Sequence, residues 1–242
     1  MNIEGTVALV TGANRGIGKA IADELPARGA AKVYAAVRDV ATVTDPRLTP
    51  VALDITDAGR VAAVARELGD VQLVVNNAGI GRPAVPLDAT LADARAELET
   101  NYLPLITMTQ AFAPVLRANG GGAFVNVLSV VSWVSSPILS TYSASKSAAW
   151  SYTNGARVQL ADQGTAVVAV HVGFVDTDLT QGFPGDKVAP REVAVAALDA
   201  LEAGEPEALV DDVSRAAKAG LSDDQRALYP GVRERFAATV AS

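Results

Sequence analysis

A tyrosine and a lysine placed one helical turn apart could exchange a proton with a bound substrate. Tyr142 and Lys146 are four positions apart, and on a helix such residues share one face. A neighbouring ammonium favours the phenolate, so we expect Lys146 to lower the pKa of Tyr142 from its ordinary value near ~10. Such a group can act as proton donor and acceptor when a carbonyl and an alcohol are interconverted. The pair alone is weak evidence, because tyrosine and lysine are also common on solvated helix faces.

A glycine-rich turn near the N-terminus supplies a second signal. Residues 6–11 form an apolar run typical of a buried parallel strand, and Gly12, Gly16 and Gly18 follow directly before a helical pattern. Glycine lets the backbone turn tightly and approach a pyrophosphate, while the helix N-terminus offers N–H groups to the phosphates. Strand, turn and helix in this order predict a dinucleotide-binding unit.

The type of dinucleotide is predicted from the residues that follow the second strand. In dinucleotide-binding folds, an acidic residue roughly 20 positions beyond the glycines binds the ribose 2′-hydroxyl of NAD. Here Val37 stands at that point, Arg38 follows it, and Arg15 lies within the glycine turn. Guanidinium groups match phosphate geometry, so we predict NADP(H), with NAD(H) as the alternative. Asp39 could pair with Arg38 and would then weaken this prediction.

Several motifs together resemble those of the short-chain dehydrogenase/reductase family, in its compact branch of about this length. Residues 11–18 are similar to the TGxxxGxG turn of the family, and residues 76–79 to its NNAG motif. Tyr142 and Lys146 match YxxxK, and Ser129 precedes Tyr142 by the 13 positions usual in the family. The resemblance covers almost the whole chain. It implies an oxidoreductase, specifically a carbonyl reductase or secondary alcohol dehydrogenase.

The resemblance also implies a role for each candidate catalytic residue. Tyr142 gives its proton to the substrate oxygen, and Ser129 hydrogen-bonds the same oxygen and stabilises its developing charge. Lys146 lowers the pKa of the tyrosine and binds the nicotinamide ribose, while Asn101 holds a water that relays protons from solvent. Ser132 is the nearest rival of Ser129. The family requires no metal.

A set of cofactor contacts is implied in the same way. Asp54 and Ile55 correspond to the residues beside the adenine, and Thr177 to the residue that contacts the carboxamide. The complete predicted set comprises Gly12, Asn14, Arg15, Gly16, Ile17, Gly18, Arg38, Asp54, Ile55, Asn77, Ala78, Gly79, Tyr142, Lys146, Gly173, Val175 and Thr177.

Two positions depart from the family pattern. The family usually carries Pro-Gly after the sixth strand, whereas this chain has Val172 and Gly173, so the glycine is kept. Pro104 falls in the helix predicted to carry Asn101, where a proline removes an N–H and favours a kink. The resemblance implies that this helix is already irregular at Asn101, which would accommodate Pro104.

The composition excludes several other classes of protein. The 242 residues with a 50% apolar share fit one large domain with a substantial core. A net charge of −7 without a basic block argues against nucleic-acid binding. The absence of cysteine excludes disulfides, thiolate catalysis and cysteine-bound zinc. Neither a leader nor an apolar run near the ~20 residues of a membrane span is visible, so we expect a cytoplasmic protein that does not bind membranes.

Strand and helix signals alternate along the chain, and no linker or repeat divides residues 1–242. Strand-like runs begin near Thr6, Lys32, Pro50, Val71, Gly122, Thr165 and Glu207. The alternation predicts an α/β fold, a single-domain Rossmann-like doubly wound parallel sheet of about seven strands with helices on both faces. His171, the only histidine, falls in a buried-strand pattern and is interpreted as structural.

Substrate choice is predicted from the segment after Thr177, which folds over the substrate in the family. It runs from about residue 178 to 189 and contains Gly182, Pro184 and Gly185, so we expect a short, mobile lid over an open pocket. Lys187 lies close, but the predicted walls contain no cation, which favours a neutral, hydrophobic ketone or its secondary alcohol. These walls are Trp133, Val134, Ile138, Leu139, Phe174, Leu179 and Phe183.

Two further expectations concern partners and rival functions. The helices near residues 101–116 and 142–160 carry apolar residues on more than one face, and in the family they pair across a two-fold axis. We therefore expect a homodimer or homotetramer. The alternative functions are a binding or regulatory protein without turnover and a non-redox lyase or dehalogenase on the same scaffold. The intact glycine turn and the complete set of four catalytic residues argue against both.

Overall fold

In the computed structural model, which describes residues 1–183 and 185–222, a parallel sheet of seven strands runs through the molecule. Each strand begins within two residues of a predicted start, so the predicted sheet is confirmed. The strands are β1 (Val7–Thr11), β2 (Lys32–Val37), β3 (Leu48–Ala52), β4 (Leu73–Asn76), β5 (Gly122–Val127), β6 (Thr165–His171) and β7 (Glu207–Leu209).

The order of the strands places a crevice in the middle of the sheet. The order is β3-β2-β1-β4-β5-β6-β7, and every neighbouring pair is parallel. The chain therefore builds outwards from β1 to β3, returns to the centre, and builds outwards again from β4. In such sheets ligands bind beyond the carboxyl ends of the strands, at the point where the direction reverses.

Helices cover both faces of the sheet, and the side-chain alternation of the strands decides which core each residue joins. The helices are α1 (Gly16–Ala27), α2 (Ala58–Glu67), α3 (Leu91–Asn101), α4 (Leu103–Ala118), α5 (Ser140–Leu160), α6 (Pro190–Ala203) and α7 (Asp212–Ala219). Ala8 and Val10 of β1 belong to the core beneath α1 and α6, whereas Leu9 belongs to the core beneath α2, α4 and α5.

The helix around Asn101 is broken, as its proline predicts. α3 ends at Asn101 and α4 begins at Leu103, with Tyr102 at φ −119° and ψ −57° between them. Pro104 lies in the first turn of α4, where its missing N–H would have no intrahelical acceptor in any case. The break leaves the side chain of Asn101 at a helix end, where it contacts Ser145.

The described part of the chain contains no helix that is both long and apolar enough to cross a membrane. Residues 223–242 and Pro184 lie outside the described residues. The extension of the domain to residue 242, and the place of Pro184 in the lid, therefore stay predictions.

Candidate active site

Tyr142 and Ser129 meet at the carboxyl edge of the sheet. Tyr142 lies in the first turn of α5, and Ser129 caps the short 3₁₀ helix Val130–Ser132 that follows β5. Their side chains are hydrogen-bonded to each other, and Tyr142 is half-buried. Ser132, the rival candidate, instead contacts the backbone carbonyl of Ser129 and Nδ1 of His171. The structure thus brings Ser129, not Ser132, to the tyrosine.

Lys146 lies one turn beyond Tyr142 and is buried. Its Nζ donates a hydrogen bond to the carbonyl oxygen of Val127 at 2.9 Å and lies 5.7 Å from the centre of the tyrosine ring. Burial lowers the pKa of Lys146 to about 8, because the charged ammonium is poorly solvated there. The amine is fastened to the end of β5 rather than to the phenol.

The expected lowering of the Tyr142 pKa is wrong for this structure. Burial raises the pKa of the phenol, because a phenolate loses its hydration there. The hydrogen bond with Ser129 acts in the lowering direction, and the nearby carboxylate of Glu97 raises the pKa further. The four-residue spacing correctly predicted that Lys146 lies near Tyr142. It did not reveal that desolvation is the largest influence on the pKa of the phenol.

Asn101 joins three segments at the end of α3. Its Nδ2 donates to the carbonyl oxygen of Ile80 at 2.8 Å and to Oγ of Ser145 at 2.9 Å, while its Oδ1 accepts from the Ile80 N–H at 2.9 Å. A cavity of about 10 Å³ touches Asn101, Lys146 and Asn76, which is close to the room that one water needs. The placement agrees with the water-relay role that the resemblance implies, and that role stays a prediction.

The glycine turn packs too tightly for larger residues. Gly12 and Gly16 have φ of +65° and +54°, in the left-handed region that favours glycine. A Cβ on Gly18 would lie 2.2 Å from the Gly12 carbonyl oxygen and 2.3 Å from Nδ2 of Asn77. Asn77 in turn donates to the carbonyl oxygen of Thr11 at 2.9 Å, which ties the end of β4 to the turn. The turn thus brings the N-terminus of α1 close to the central crevice.

The predicted adenosine-side residues follow β2 and β3 at the same edge. Arg38 is exposed, and Asp39 accepts from the Ala41 N–H at 3.0 Å, so Asp39 caps a short 3₁₀ helix. Asp54 accepts from the N–H and the hydroxyl of Thr56 at 3.0 and 2.8 Å. These hydrogen bonds lower the pKa of Asp54, and the charge of Arg38 adds to them. Among the described residues, Asp39 forms no hydrogen bond with Arg38.

The second predicted phosphate ligand, Arg15, contacts the lid. Its Nη1 lies 2.7 Å from Oδ2 of Asp178, and both side chains are about 70% exposed. An exposed ion pair of this kind contributes about 0–1 kcal/mol, so a phosphate could replace the carboxylate at little cost. Gly16 lies beside the same segment, since a Cβ on it would be 3.1 Å from the Thr177 methyl group.

The lid is fixed at its base. The Asp176 N–H donates to the carbonyl oxygen of Val188 at 2.9 Å, and the Val188 N–H donates to that of Phe174 at 2.9 Å. Val175 and Val188 form a parallel bridge between these bonds. Within the lid, Asp178–Thr180 is a short 3₁₀ helix capped by Thr177.

Three of the predicted pocket walls, Phe174, Leu179 and Phe183, lie on the segment that this base holds. The Phe174 and Phe183 rings stack with centroids 5.2 Å apart. Leu179 lies beside Gly81, on which a Cβ would be 3.4 Å from Cδ1 of the leucine and 3.3 Å from Cδ2 of Tyr142. Ile138 and Leu139 pair with Ala84 just before α5, and Val134 is half-buried on the segment that leads to them.

Trp133 differs from its prediction as a pocket wall. Its ring stacks on His171, with centroids 3.6 Å apart, and meets Trp150 edge-on at 6.4 Å. Nζ of Lys218 covers the same ring at 5.1 Å. A large aromatic ring gains more contact in this interior cluster than on an open pocket wall. His171 itself is fully buried there, as its strand pattern indicates.

Asp211 is a candidate positioning residue for the predicted cofactor loop, and the sequence analysis did not identify it. Its Oδ2 accepts from the Gly173 N–H at 2.8 Å, and its Oδ1 accepts from the Ser214 N–H at 2.8 Å. The carboxylate therefore caps α7 and holds the backbone of the predicted cofactor loop. The Asp-x-x-Ser pattern predicts the cap, but the contact with Gly173 joins residues 38 positions apart and has no local signal.

Comparison with known proteins now decides the family. The model of the family described as short chain dehydrogenase matches residues 6–187. The chain belongs to this family. It is accordingly an oxidoreductase, and its parallel sheet is the fold of the solved members that it resembles.

Three members illustrate how this short-chain dehydrogenase relates to the family. The 3-oxoacyl-[acyl-carrier-protein] reductase FabG of Vibrio harveyi is 31% identical over 218 residues, covering 81% of this chain and 89% of that protein. The cis-4-hydroxycyclohexanecarboxylate dehydrogenase of Sinomonas cyclohexanicum is 37% identical over 195 residues, covering 74% and 77%. A short chain dehydrogenase from Burkholderia cenocepacia J2315, solved in complex with NADP, is 42% identical with a TM-score of 0.91, covering 96% of this chain and 99% of that one.

Proposed function

We propose that this short-chain dehydrogenase transfers hydride between NADP(H) and a neutral, hydrophobic ketone or its secondary alcohol. The observation that carries the proposal is the meeting of Tyr142, Ser129 and Lys146 at the carboxyl edge of the sheet, beside the glycine turn. A proton donor, a hydroxyl that can stabilise an oxyanion and a dinucleotide-binding unit are the parts that carbonyl reduction needs.

The residues around the crevice fit NADP(H). Gly12, Gly16 and Gly18 form a cradle that a side chain would fill, and the first N–H groups of α1 lack intrahelical acceptors. Arg15 and Arg38 are exposed cations placed for a 2′-phosphate. The Burkholderia cenocepacia relative in complex with NADP supports the same choice. When bound, NADP(H) supplies or accepts the hydride.

The proton chemistry falls to Tyr142 and its neighbours. Because burial raises its pKa, the phenol keeps its proton at neutral pH and acts as a general acid toward the substrate oxygen. Ser129 stabilises the charge that develops on that oxygen. Asn101 and Lys146 border the small cavity through which a water could return the proton. The arrangement is therefore suited to protonating the substrate oxygen when a carbonyl is reduced.

The lid supports a neutral and hydrophobic substrate. Leu179 and Tyr142 both lie beside Gly81, and the stacked rings of Phe174 and Phe183 supply a further apolar surface. Nζ of Lys187, the nearest predicted cation, donates to the carbonyl oxygen of Thr180 at 2.8 Å, so its charge is engaged within the lid. A substrate carboxylate would then lack a dedicated partner among these residues.

A panel of carbonyl compounds tests the proposal. NADPH oxidation would be followed with neutral aryl ketones, alkyl ketones, sugars, an alicyclic keto acid and a 3-oxoacyl thioester. The last two probes represent the chemistry in the names of the curated relatives. We expect the highest kcat/KM with neutral aryl or alkyl ketones. A preference for the thioester, the keto acid or sugars would contradict the proposed substrate class, and no turnover with any probe would contradict the proposed reaction.

We also propose a homodimer or homotetramer formed through α4 and α5, in the cytoplasm. Leu103 on α4 and Val158 on α5 are 45% and 78% exposed, which leaves apolar side chains on the outer faces of both helices. Light scattering at micromolar concentration should give a mass of two or four chains. A monomer mass would contradict the proposed assembly.

A further inference from the structure

Glu97 is a buried acidic residue that the proposed chemistry does not use. It is 0% exposed and lies on α3, one turn before Asn101. Its Oε1 accepts from the Arg82 N–H at 2.7 Å, whereas Oε2 is buried without a hydrogen-bond partner among the residues described. Burying a carboxyl group is costly when its hydrogen bonds are not all made. The burial of the Glu97 carboxyl group therefore needs a compensating role.

The contact with Arg82 completes a clamp on the loop that leaves β4. Asn101 holds Ile80 through two hydrogen bonds of 2.8 and 2.9 Å, and Glu97 holds the backbone of Arg82 two residues later. Residues four apart on a helix share one face, so a single face of α3 grips both sides of Gly81. The guanidinium of Arg82 pairs with Asp93, so Glu97 acts on the backbone of the loop and is not the ion-pair partner of the arginine.

The clamped residue lies against the catalytic ring. A Cβ on Gly81 would be 3.3 Å from Cδ2 and 3.5 Å from Cε2 of Tyr142, and 3.4 Å from Leu179 of the lid. We propose that Glu97 is a positioning residue for Tyr142, which holds the loop of residues 80–82 against the ring and so fixes the phenol in its reactive position. This inference rests on the proposed function, because it assumes that Tyr142 donates the proton.

The charge of the carboxylate offers a second way to observe Glu97. The charged groups near the phenol are Lys146, whose Nζ lies 5.7 Å from the ring centre on the same helix, and Glu97 from α3. The Glu97 carboxylate raises the pKa of Tyr142, because a phenolate beside it would be repelled. Removing this charge should therefore lower the pKa at which the phenol loses its proton.

Two substitutions separate the clamp from the charge. Glu97→Gln keeps an oxygen that can accept from the Arg82 N–H but removes the charge, whereas Glu97→Leu removes both at similar volume. The matched controls are Glu99→Gln and Glu99→Leu, which alter an exposed glutamate two residues further along the same helix. Each purified variant would be assayed for kcat on the best ketone of the panel, for NADPH affinity by fluorescence, and for the pH profile of kcat.

We expect Glu97→Leu to lose about tenfold to a hundredfold in kcat, because small displacements of a catalytic group are costly. Its NADPH Kd should stay within about twofold of the wild type. Glu97→Gln should regain most of kcat, with the alkaline limb of its reduction profile moved to lower pH. Both Glu99 variants should match the wild type in every measurement.

Wild-type kcat in Glu97→Leu would overturn the inference. Should Glu97→Leu fail to fold, Glu97→Met takes its place as a variant without an oxygen to accept from the Arg82 N–H, and wild-type kcat in that variant would overturn the inference. An equal loss in the Glu99 controls would also count against it, since it would mark a general effect on α3. If the wild type itself reduces no carbonyl compound, the proposed function fails instead, so the two failures are distinguishable.

Discussion

The buried centre of the site and its exposed rim are built in different ways. In the centre, Ser129, Lys146 and Asn101 are buried, and their hydrogen bonds join segments that are far apart in the chain. On the rim, Arg15 and Arg38 are exposed, and the contact of Arg15 is a surface ion pair. The predicted catalytic residues are thus held by many neighbours, whereas the residues predicted to select the cofactor are held by few.

The energies of the two regions differ accordingly. Leaving a buried polar group without its partner costs about 1–3 kcal/mol, whereas an exposed ion pair contributes about 0–1 kcal/mol. Changes in the centre should therefore alter turnover or folding strongly. Changes on the rim should alter the choice of ligand and leave the fold intact.

Tyr142→Phe should have the largest effect and tests the centre directly. The substitution removes the proton donor and keeps the ring, and general acid catalysis typically contributes about 10²–10⁴-fold. We expect kcat to fall by that order while NADPH still binds. Tyr152→Phe, which changes a half-buried tyrosine further along α5, is the control and should keep kcat. Unchanged turnover in Tyr142→Phe would contradict the assignment of the proton donor.

His171 should make the centre sensitive to acid. Burial lowers its pKa to about 4, whereas the unfolded chain takes up the proton near the ordinary value of ~6.5. Between these values the unfolded state binds more protons than the folded state. The full contribution of neutral His171 to the free energy of unfolding is therefore present above pH ~6.5 and is lost as the pH falls toward about 4. The loss should approach about 3 kcal/mol. Denaturant unfolding at several pH values, with His171→Asn as the comparison, measures this loss. An equal dependence of the free energy of unfolding on pH in the two proteins would refute the prediction.

Gly18→Ala tests the boundary between the centre and the rim. The new Cβ would lie 2.2 Å from the carbonyl oxygen of Gly12, so the turn must move. Overpacking of this kind costs about 1–3 kcal/mol, and we expect NADPH affinity to fall about tenfold to a hundredfold. Gly69→Ala is the control, because nothing lies within 4 Å of its Cβ position. NADPH titration by fluorescence would contradict the packing argument if both variants bound equally well.

Arg38→Ala should have the smallest effect of the four and tests the rim. Loss of a guanidinium from a 2′-phosphate should raise the KM for NADPH about tenfold, or about 1.4 kcal/mol, and hardly change the KM for NADH. Arg66→Ala, on the exposed surface of α2, should change neither value. Equal effects of Arg38→Ala on both cofactors would show that this residue does not bind the phosphate.

The sequence predicted the fold well for physical reasons. Apolar runs alternating with helical patterns determine a parallel sheet, and the seven predicted starts agree with the structure within two residues. Pro104 predicted the irregular helix at Asn101, because a proline cannot continue one. The YxxxK motif and the glycine turn each consist of residues close together in the chain, so a single sequence is enough to recognise them.

The features that sequence reasoning missed depend on contacts between distant residues. The raised pKa of Tyr142 results from burial, which no spacing rule reports. Trp133 joined an interior cluster with His171 because the chain folds β6 next to it. Asp211 accepts from the N–H of Gly173, 38 positions away, and Glu97 accepts from that of Arg82, 15 positions away. No sequence pattern predicts either hydrogen bond.

The hydrogen bond from Nζ of Lys146 to the carbonyl oxygen of Val127 has a practical consequence for protein engineering. It fastens the start of α5 to the sheet without any contribution from the lid. The lid begins and ends on its own bridge between Val175 and Val188, so it can be treated as an exchangeable cassette. Libraries confined to residues 179–187 would vary the predicted substrate surface and keep both the Asp178 contact with Arg15 and the Lys146 bond to Val127. New substrates could thus be sought without redesigning the reaction itself.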